Sequence, residues 1–223
     1  MAEGRTVRSI CVFCGSRPGA DPAFAAAAAG LGTVIARRGL TLVYGGAKVG
    51  LMGVLANAAL AAGGHVVGVI PKGLVSKEIA HDGLQELFLS DSMHERKDRM
   101  ILLSDAFVSL PGGWGTYDEL FEVLTLAQIG FHEKPSGFLN VKGYFDPLLA
   151  LLRHTIVQGF AAPQHEQLYV AAEEPEVLLD ALIAWTPPPL GNKWTPPNAG
   201  RAVIAAEAMA AEPEPEAEPE AAK

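Results

Sequence analysis

A chain of 223 residues, 49 % of them hydrophobic, has enough apolar material for one sizeable core and an appendage. Its formal charge of −8 excludes the basic face that nucleic-acid binding requires, so any anion site must be local. No apolar run reaches membrane-spanning length without charges, glycines or turns, and Met1-Ala2-Glu3-Gly4-Arg5 lacks the apolar run of a signal peptide. Two cysteines make no disulfide framework, which fits a reducing cytoplasm.

In chain order, Ser9–Phe13 reads as a strand. Cys11 falls inside it and Cys14 at its end, so their Cys-x-x-Cys spacing marks buried thiols rather than a redox pair at a helix start. The turn-rich loop Gly15–Gly19 follows, then Asp21-Pro22 opens a helix with Asp21 as N-cap, ending at Arg38 before Gly39. Thr41–Tyr44 is the second strand; Gly45-Gly46 leads to a small-residue helix, Leu51–Ala62. Gly15, Ser16, Gly45 and Gly46 lie where α/β sheets bind ligands, and either loop geometry or ligand contact accounts for them. Neither glycine turn carries the G-x-G-x-x-G of a dinucleotide site or the G-K-[ST] of a P-loop.

His65–Ile70 is a third strand and Leu84–Leu89 a fourth, with Lys72–Gly83 irregular or briefly helical between them. Glu78 in that connection reads on its own as a surface carboxylate. Ser90-Asp91-Ser92 caps the helix Met93–Leu103, where Arg96 and Lys97 share the stripe of Met93 and Met100. Cations on a core-facing stripe need partners, so Arg96 is expected to face a ligand cleft and meet Glu119 or a nucleotide; Asp98 and Arg99 are expected in solvent.

Ala106–Leu110 reads as a buried parallel strand and is followed by Pro111-Gly112-Gly113-Trp114-Gly115-Thr116-Tyr117-Asp118-Glu119. The run Leu120–Ala127 then has helical spacing. Backbone N–H groups at such a strand-to-helix turn favour an anion, and glycines let a phosphate approach without a Cβ in the way. Thr116 can add a hydroxyl. Glu119, one turn into the helix, is a poor place for a second anion unless it has chemical work. The motif therefore reads as a phosphate cradle with a carboxylate beside it.

Pro135–Asn140 and Gln167–Ala171 are the last strands; Asp146-Pro147 opens a helix ending near Gly159 in the manner of Asp21-Pro22, and Pro175 starts a helix that closes at Trp185. Alternating strands and helices give a Rossmann-like three-layer α/β/α domain with a central parallel sheet over residues 1–185. From Thr186 to Lys223 a Pro/Ala/Glu-rich tail is expected to be disordered. His65, His81, His94, His132, His154 and His165 are scattered, so no metal site is expected.

Cys14-Gly15-Ser16, Tyr44-Gly45-Gly46, Gly50-Leu51-Met52-Gly53, Met93-His94-Glu95-Arg96-Lys97, Pro111–Glu119 and Thr125-Leu126-Ala127-Gln128 together resemble the LOG (Lonely Guy) family, cytokinin riboside 5′-monophosphate phosphoribohydrolases. The resemblance spans roughly residues 8–185. It implies cleavage of the N-glycosidic bond of an N6-modified adenosine 5′-monophosphate, with no cofactor. It implies Arg96 and Glu119 as the catalytic pair, and Glu78, Arg96, Lys97, Gly112, Gly113, Trp114, Gly115, Thr116, Tyr117, Asp118 and Thr125 as substrate contacts. It also implies a homodimer. Trp114 replaces a common Tyr, and Tyr117-Asp118 stands where Leu-Glu is frequent. A general AMP nucleosidase and a non-catalytic nucleotide carrier are the other readings. Similar proteins have been labelled lysine decarboxylases, but nothing in the sequence marks a Schiff-base lysine.

Overall fold

The computed structural model describes residues 6–75 and 79–190. Seven parallel strands form one sheet in the order β4-β3-β2-β1-β5-β6-β7. They are β1 (Ser9–Phe13), β2 (Thr41–Tyr44), β3 (Val66–Pro71), β4 (Glu86–Ser90), β5 (Ala106–Ser109), β6 (Ser136–Leu139) and β7 (Tyr169–Ala172). The helices are α1 (Pro22–Arg37), α2 (Gly50–Ala61), the single turn α3 (Lys72–Val75), α4 (Met93–Leu102), α5 (Trp114–Gln128), α6 (Asp146–Val157) and α7 (Pro175–Ala184).

Strand alternation divides the core in two. Ile10, Val12, Leu42, Tyr44, Val108 and Leu139 turn to one face, with Leu31, Leu55 and Leu178 from α1, α2 and α7. Cys11, Phe13, Val43, Val69, Phe107 and Phe138 turn to the other, with Met100, Val123 and Leu149 from α4, α5 and α6. This is the expected three-layer fold. Cys11 and Cys14 belong to opposite clusters, both free and buried, and burial pushes both thiols up. They are packing residues.

Strand order reverses between β1 and β5, which pair with Cys11 opposite Phe107 and Phe13 opposite Ser109. A ligand crevice opens at such a switch point, outside the carboxyl ends of the strands. Here the two loops that leave those ends are joined, because Gly15 N donates to Pro111 O at 3.1 Å. A Cβ on Gly15 would come within 3.3 Å of Gly112 Cα, so this glycine lets the two loops touch.

Three expectations change. Helix α5 begins at Trp114, capped by Gly113, so most of the expected glycine loop is the helix's own first turn. Asp146 does not repeat the role of Asp21, whose side chain accepts from Ala23 N. Phe145 is the N-cap of α6, and its N–H donates instead to Asn140 Oδ1 at 2.7 Å. Arg99 is half-buried, its guanidinium 5.0 Å from the centre of the Phe88 ring. Beyond Trp185 the chain continues with Pro188 buried and Leu190 packed against the α4–α6 side of the core. The tail expected to be disordered lies, from residue 191 on, outside the described residues.

Candidate active site

Helix α4 is amphipathic, with an unusual inner stripe: Arg96 and Lys97 are buried beside Met100 and Ile101. Ser92 caps it by accepting from Glu95 N, and Glu95 Oε2 returns to Asp91 N. This fixed start sets the direction of both cations. Arg96 Nε donates to Val69 O at 3.1 Å, and Nη1 donates to Glu119 Oε1 at 2.5 Å. Only 8 % of the Arg96 side chain and 9 % of the Glu119 side chain remain exposed. A buried charge in either partner is tolerable only because the other is there.

Gly45 explains how the guanidinium fits. A Cβ there would collide with Arg96 Nη2 and with Met52 Sδ. The space that sequence reasoning left open between ligand and loop geometry is filled by Arg96. Gly46, also buried, takes φ +71° to turn the chain, and its carbonyl accepts from His81 N.

Burial raises the Glu119 carboxyl above the ordinary carboxylate range, against the lowering influence of Arg96. Lys97 Nζ sits 2.9 Å from Glu122 Oε2 and 3.0 Å from Asp118 Oδ2, both on α5. Burial alone would lower its pKa, but the two carboxylates more than compensate and hold the ammonium charged.

The other candidates gather at the start of α5. Gly113, Trp114 and Gly115 are exposed, and no side chain caps the helix. Its leading N–H groups therefore have no carbonyl one turn back to bind. A Cβ on Gly113 or Gly115 would meet nothing within 4 Å, which leaves room for a ligand. Gly112 differs: a Cβ there would collide with Thr116 Oγ1 and with Gly15 N. Thr116 is buried beneath the loop, so its hydroxyl packs against Gly112. Ser16 is exposed on the adjoining rim, where a Cβ on Gly50 would strike its carbonyl group.

A groove of about 520 Å³ runs along α5 from this end, lined by Lys97, Trp114, Tyr117, Asp118, Phe121, Glu122, Thr125 and Leu126. Thus Thr125, Asp118 and Tyr117 share one groove with Lys97. Phe121 and Leu126 extend its apolar wall; sequence reasoning missed them because their spacing reads as ordinary core. Glu78 lies outside the described residues. Among the described residues, no three His, Cys, Asp or Glu side chains converge on a metal position.

The sequence that builds this site matches a known family. Residues 52–182 match the family model described as "Possible lysine decarboxylase". The chain is 48 % identical over 178 residues to the cytokinin riboside 5′-monophosphate phosphoribohydrolase of Rhodococcoides fascians, covering 79 % of this chain and 90 % of that protein. It is 43 % identical over 180 residues to cytokinin riboside 5′-monophosphate phosphoribohydrolase LOG1 of Arabidopsis thaliana, covering 81 % and 84 %. The chain belongs to the LOG family. Solved structures resemble the LOG-family chain in fold: a molybdenum cofactor binding protein from Rippkaea orientalis matches at 24 % identity and TM-score 0.60, covering 78 % of this chain and 94 % of that one. A molybdenum cofactor carrier protein from Chlamydomonas reinhardtii matches at 21 % and 0.60, covering 79 % and 96 %. At these identities the likeness establishes the α/β architecture alone.

Proposed function

We propose that this chain is a phosphoribohydrolase that cleaves the N-glycosidic bond of cytokinin riboside 5′-monophosphates, giving the free base and ribose 5-phosphate. The observation that carries this is the buried Arg96–Glu119 pair set near the start of α5, where no side chain caps the helix. Amides of the first helical turn hold the 5′-phosphate, and the helix dipole favours its charge. Holding the phosphate places the anomeric carbon beside Glu119.

The bond from C1′ to the purine nitrogen breaks with its electron pair going to the base, and positive charge builds on the ribose. Glu119 as carboxylate stabilises that charge and takes a proton from the water whose oxygen bonds to C1′; the departing base takes up a proton from solvent, and Glu119 then returns its own to solvent. Arg96, tied to Val69 O, fixes the carboxylate's direction. Lys97, Asp118, Tyr117, Trp114 and Thr125 line the groove that receives the base. Residues 1–185 are the catalytic domain on this reading. We place the protein in the cytoplasm, with no nucleic-acid partner, and as a homodimer: Trp114 is 89 % exposed on the groove rim, a surface that a second copy covers. Sedimentation at micromolar concentration tests that assembly, and a monomer at all concentrations contradicts it.

The decarboxylase description suits the site less well. A Schiff-base lysine must become a neutral amine, whereas Lys97 is held charged between two carboxylates. Incubation with isopentenyladenosine monophosphate, AMP and the parent nucleosides, followed by chromatography, tests the proposal. Free base should appear from the modified nucleotide, more slowly from AMP, and far more slowly from nucleosides. Equal cleavage of nucleosides removes the phosphate cradle from the account; carbon dioxide release from lysine replaces it with the decarboxylase.

A further inference from the structure

The loop before α5 is held by a hydroxyl that has no role in the chemistry above. Tyr144 Oη donates to Gly112 O at 2.5 Å and lies 3.0 Å from Tyr117 Oη. A carbonyl only accepts, so Tyr144 donates to Gly112 and Tyr117 donates to Tyr144. Burial, followed by the contact with Tyr144, pushes the Tyr117 hydroxyl up to about 12, so it keeps its proton at neutral pH.

The backbone that carries Tyr144 is constrained to deliver it. Lys142 sits at φ 51°, ψ 35°, the described non-glycine residue in the left-handed region, and Gly143 follows at φ 71°. Lys142 Nζ pairs with Asp21 Oδ2 at 2.9 Å. Asn140 fastens the far end, accepting from Phe145 N and donating to Asp146 Oδ1 at 2.8 Å. The Tyr144 ring stands edge-on to Phe24 and Phe145, with centroids 5.6 and 5.1 Å away. Two aromatic contacts and a strained turn thus aim one hydroxyl at one carbonyl.

We propose that Tyr144 is a positioning residue for phosphate capture. In a planar trans peptide the C=O and the following N–H point in opposite directions. Pinning Gly112 O to Tyr144 therefore turns the Gly113 N–H away from Tyr144, ahead of the amides that begin α5. The inference rests on the phosphate-site reading and adds a residue that acts through the Gly112 carbonyl.

The test compares binding of ribose 5-phosphate and adenosine by calorimetry, with turnover and melting temperature, for wild type, Tyr144→Phe, Lys142→Gly and Lys142→Val. Phenylalanine keeps the ring contacts and removes only the hydroxyl. Ribose 5-phosphate affinity should fall about tenfold in Tyr144→Phe, with adenosine affinity unchanged, KM for the nucleotide raised in parallel and kcat within about threefold. Both Lys142 variants lose the Asp21 pair, but glycine adopts the left-handed turn and a β-branched residue resists it. Lys142→Val should repeat the loss and Lys142→Gly should not. Unchanged ribose 5-phosphate affinity in Tyr144→Phe or in Lys142→Val overturns the proposal, as does an equal loss for adenosine. Wild-type protein that fails to bind ribose 5-phosphate instead overturns the phosphate-site reading itself.

Discussion

At the scale of single residues, the account turns on one carboxylate. Glu119 is buried, and burial outweighs Arg96 in raising its pKa. A general base must be ionised, so activity should fall on the acid side at a pH above the ordinary carboxylate range, with a slope of one proton. Replacing Arg96 by methionine removes a lowering influence, and this acid limb should move further up; a limb that stays put contradicts the coupling. The same shift has a stability sign. A carboxyl whose folded pKa is raised contributes stability at low pH that is lost as pH rises through the folded value. Arg96→Met, which leaves Glu119 unpaired, should therefore cost about 3–5 kcal/mol near neutral pH and less in acid, as read by chemical unfolding. Glu119→Gln should lower kcat at least about 10³-fold while ribose 5-phosphate still binds.

At the scale of elements, the glycines separate into two jobs that substitution tells apart. Gly115 lies inside α5 with open space where a Cβ would go. Gly115→Ala should raise stability by roughly 0.5–1 kcal/mol through helix propensity, yet raise KM for the nucleotide about tenfold or more. Gly45→Ala pushes a methyl into Arg96 and Met52. It should lower kcat by about 100-fold and leave ribose 5-phosphate affinity nearly intact. Equal kinetic profiles for the two variants contradict this division. The strands were legible because continuous apolar runs such as Ala106–Leu110 permit little else in an α/β chain. The start of α5 was not, since Trp114-Gly115-Thr116 are weak helix formers and Gly113 caps without a side chain. Asp146 misled because Asp-Pro reads locally as a cap, while Asn140 reached Phe145 from the other side of a turn. Gly45 and Tyr144 act through contacts distant in sequence, which no local pattern records. Arg96 and Glu119 were found together because a cation on an apolar stripe and an anion at a helix start each needed an explanation.

At the scale of the whole molecule, the sheet brings the loops after β1 and β5 together at its switch point, and α4 lays its cations against α5. A molybdenum cofactor binding protein and a molybdenum cofactor carrier protein share this architecture at 24 % and 21 % identity, so the fold alone does not assign a function. That choice rests on what stands beside the helix N-terminus. The most direct measurement is a crystal structure of Glu119→Gln grown with AMP, in which the nucleotide survives. The phosphate oxygens should lie about 3 Å from main-chain nitrogens at the start of α5, with C1′ facing residue 119. A phosphate bound at another edge of the sheet, or a residue 119 side chain directed away from the sugar, contradicts the account.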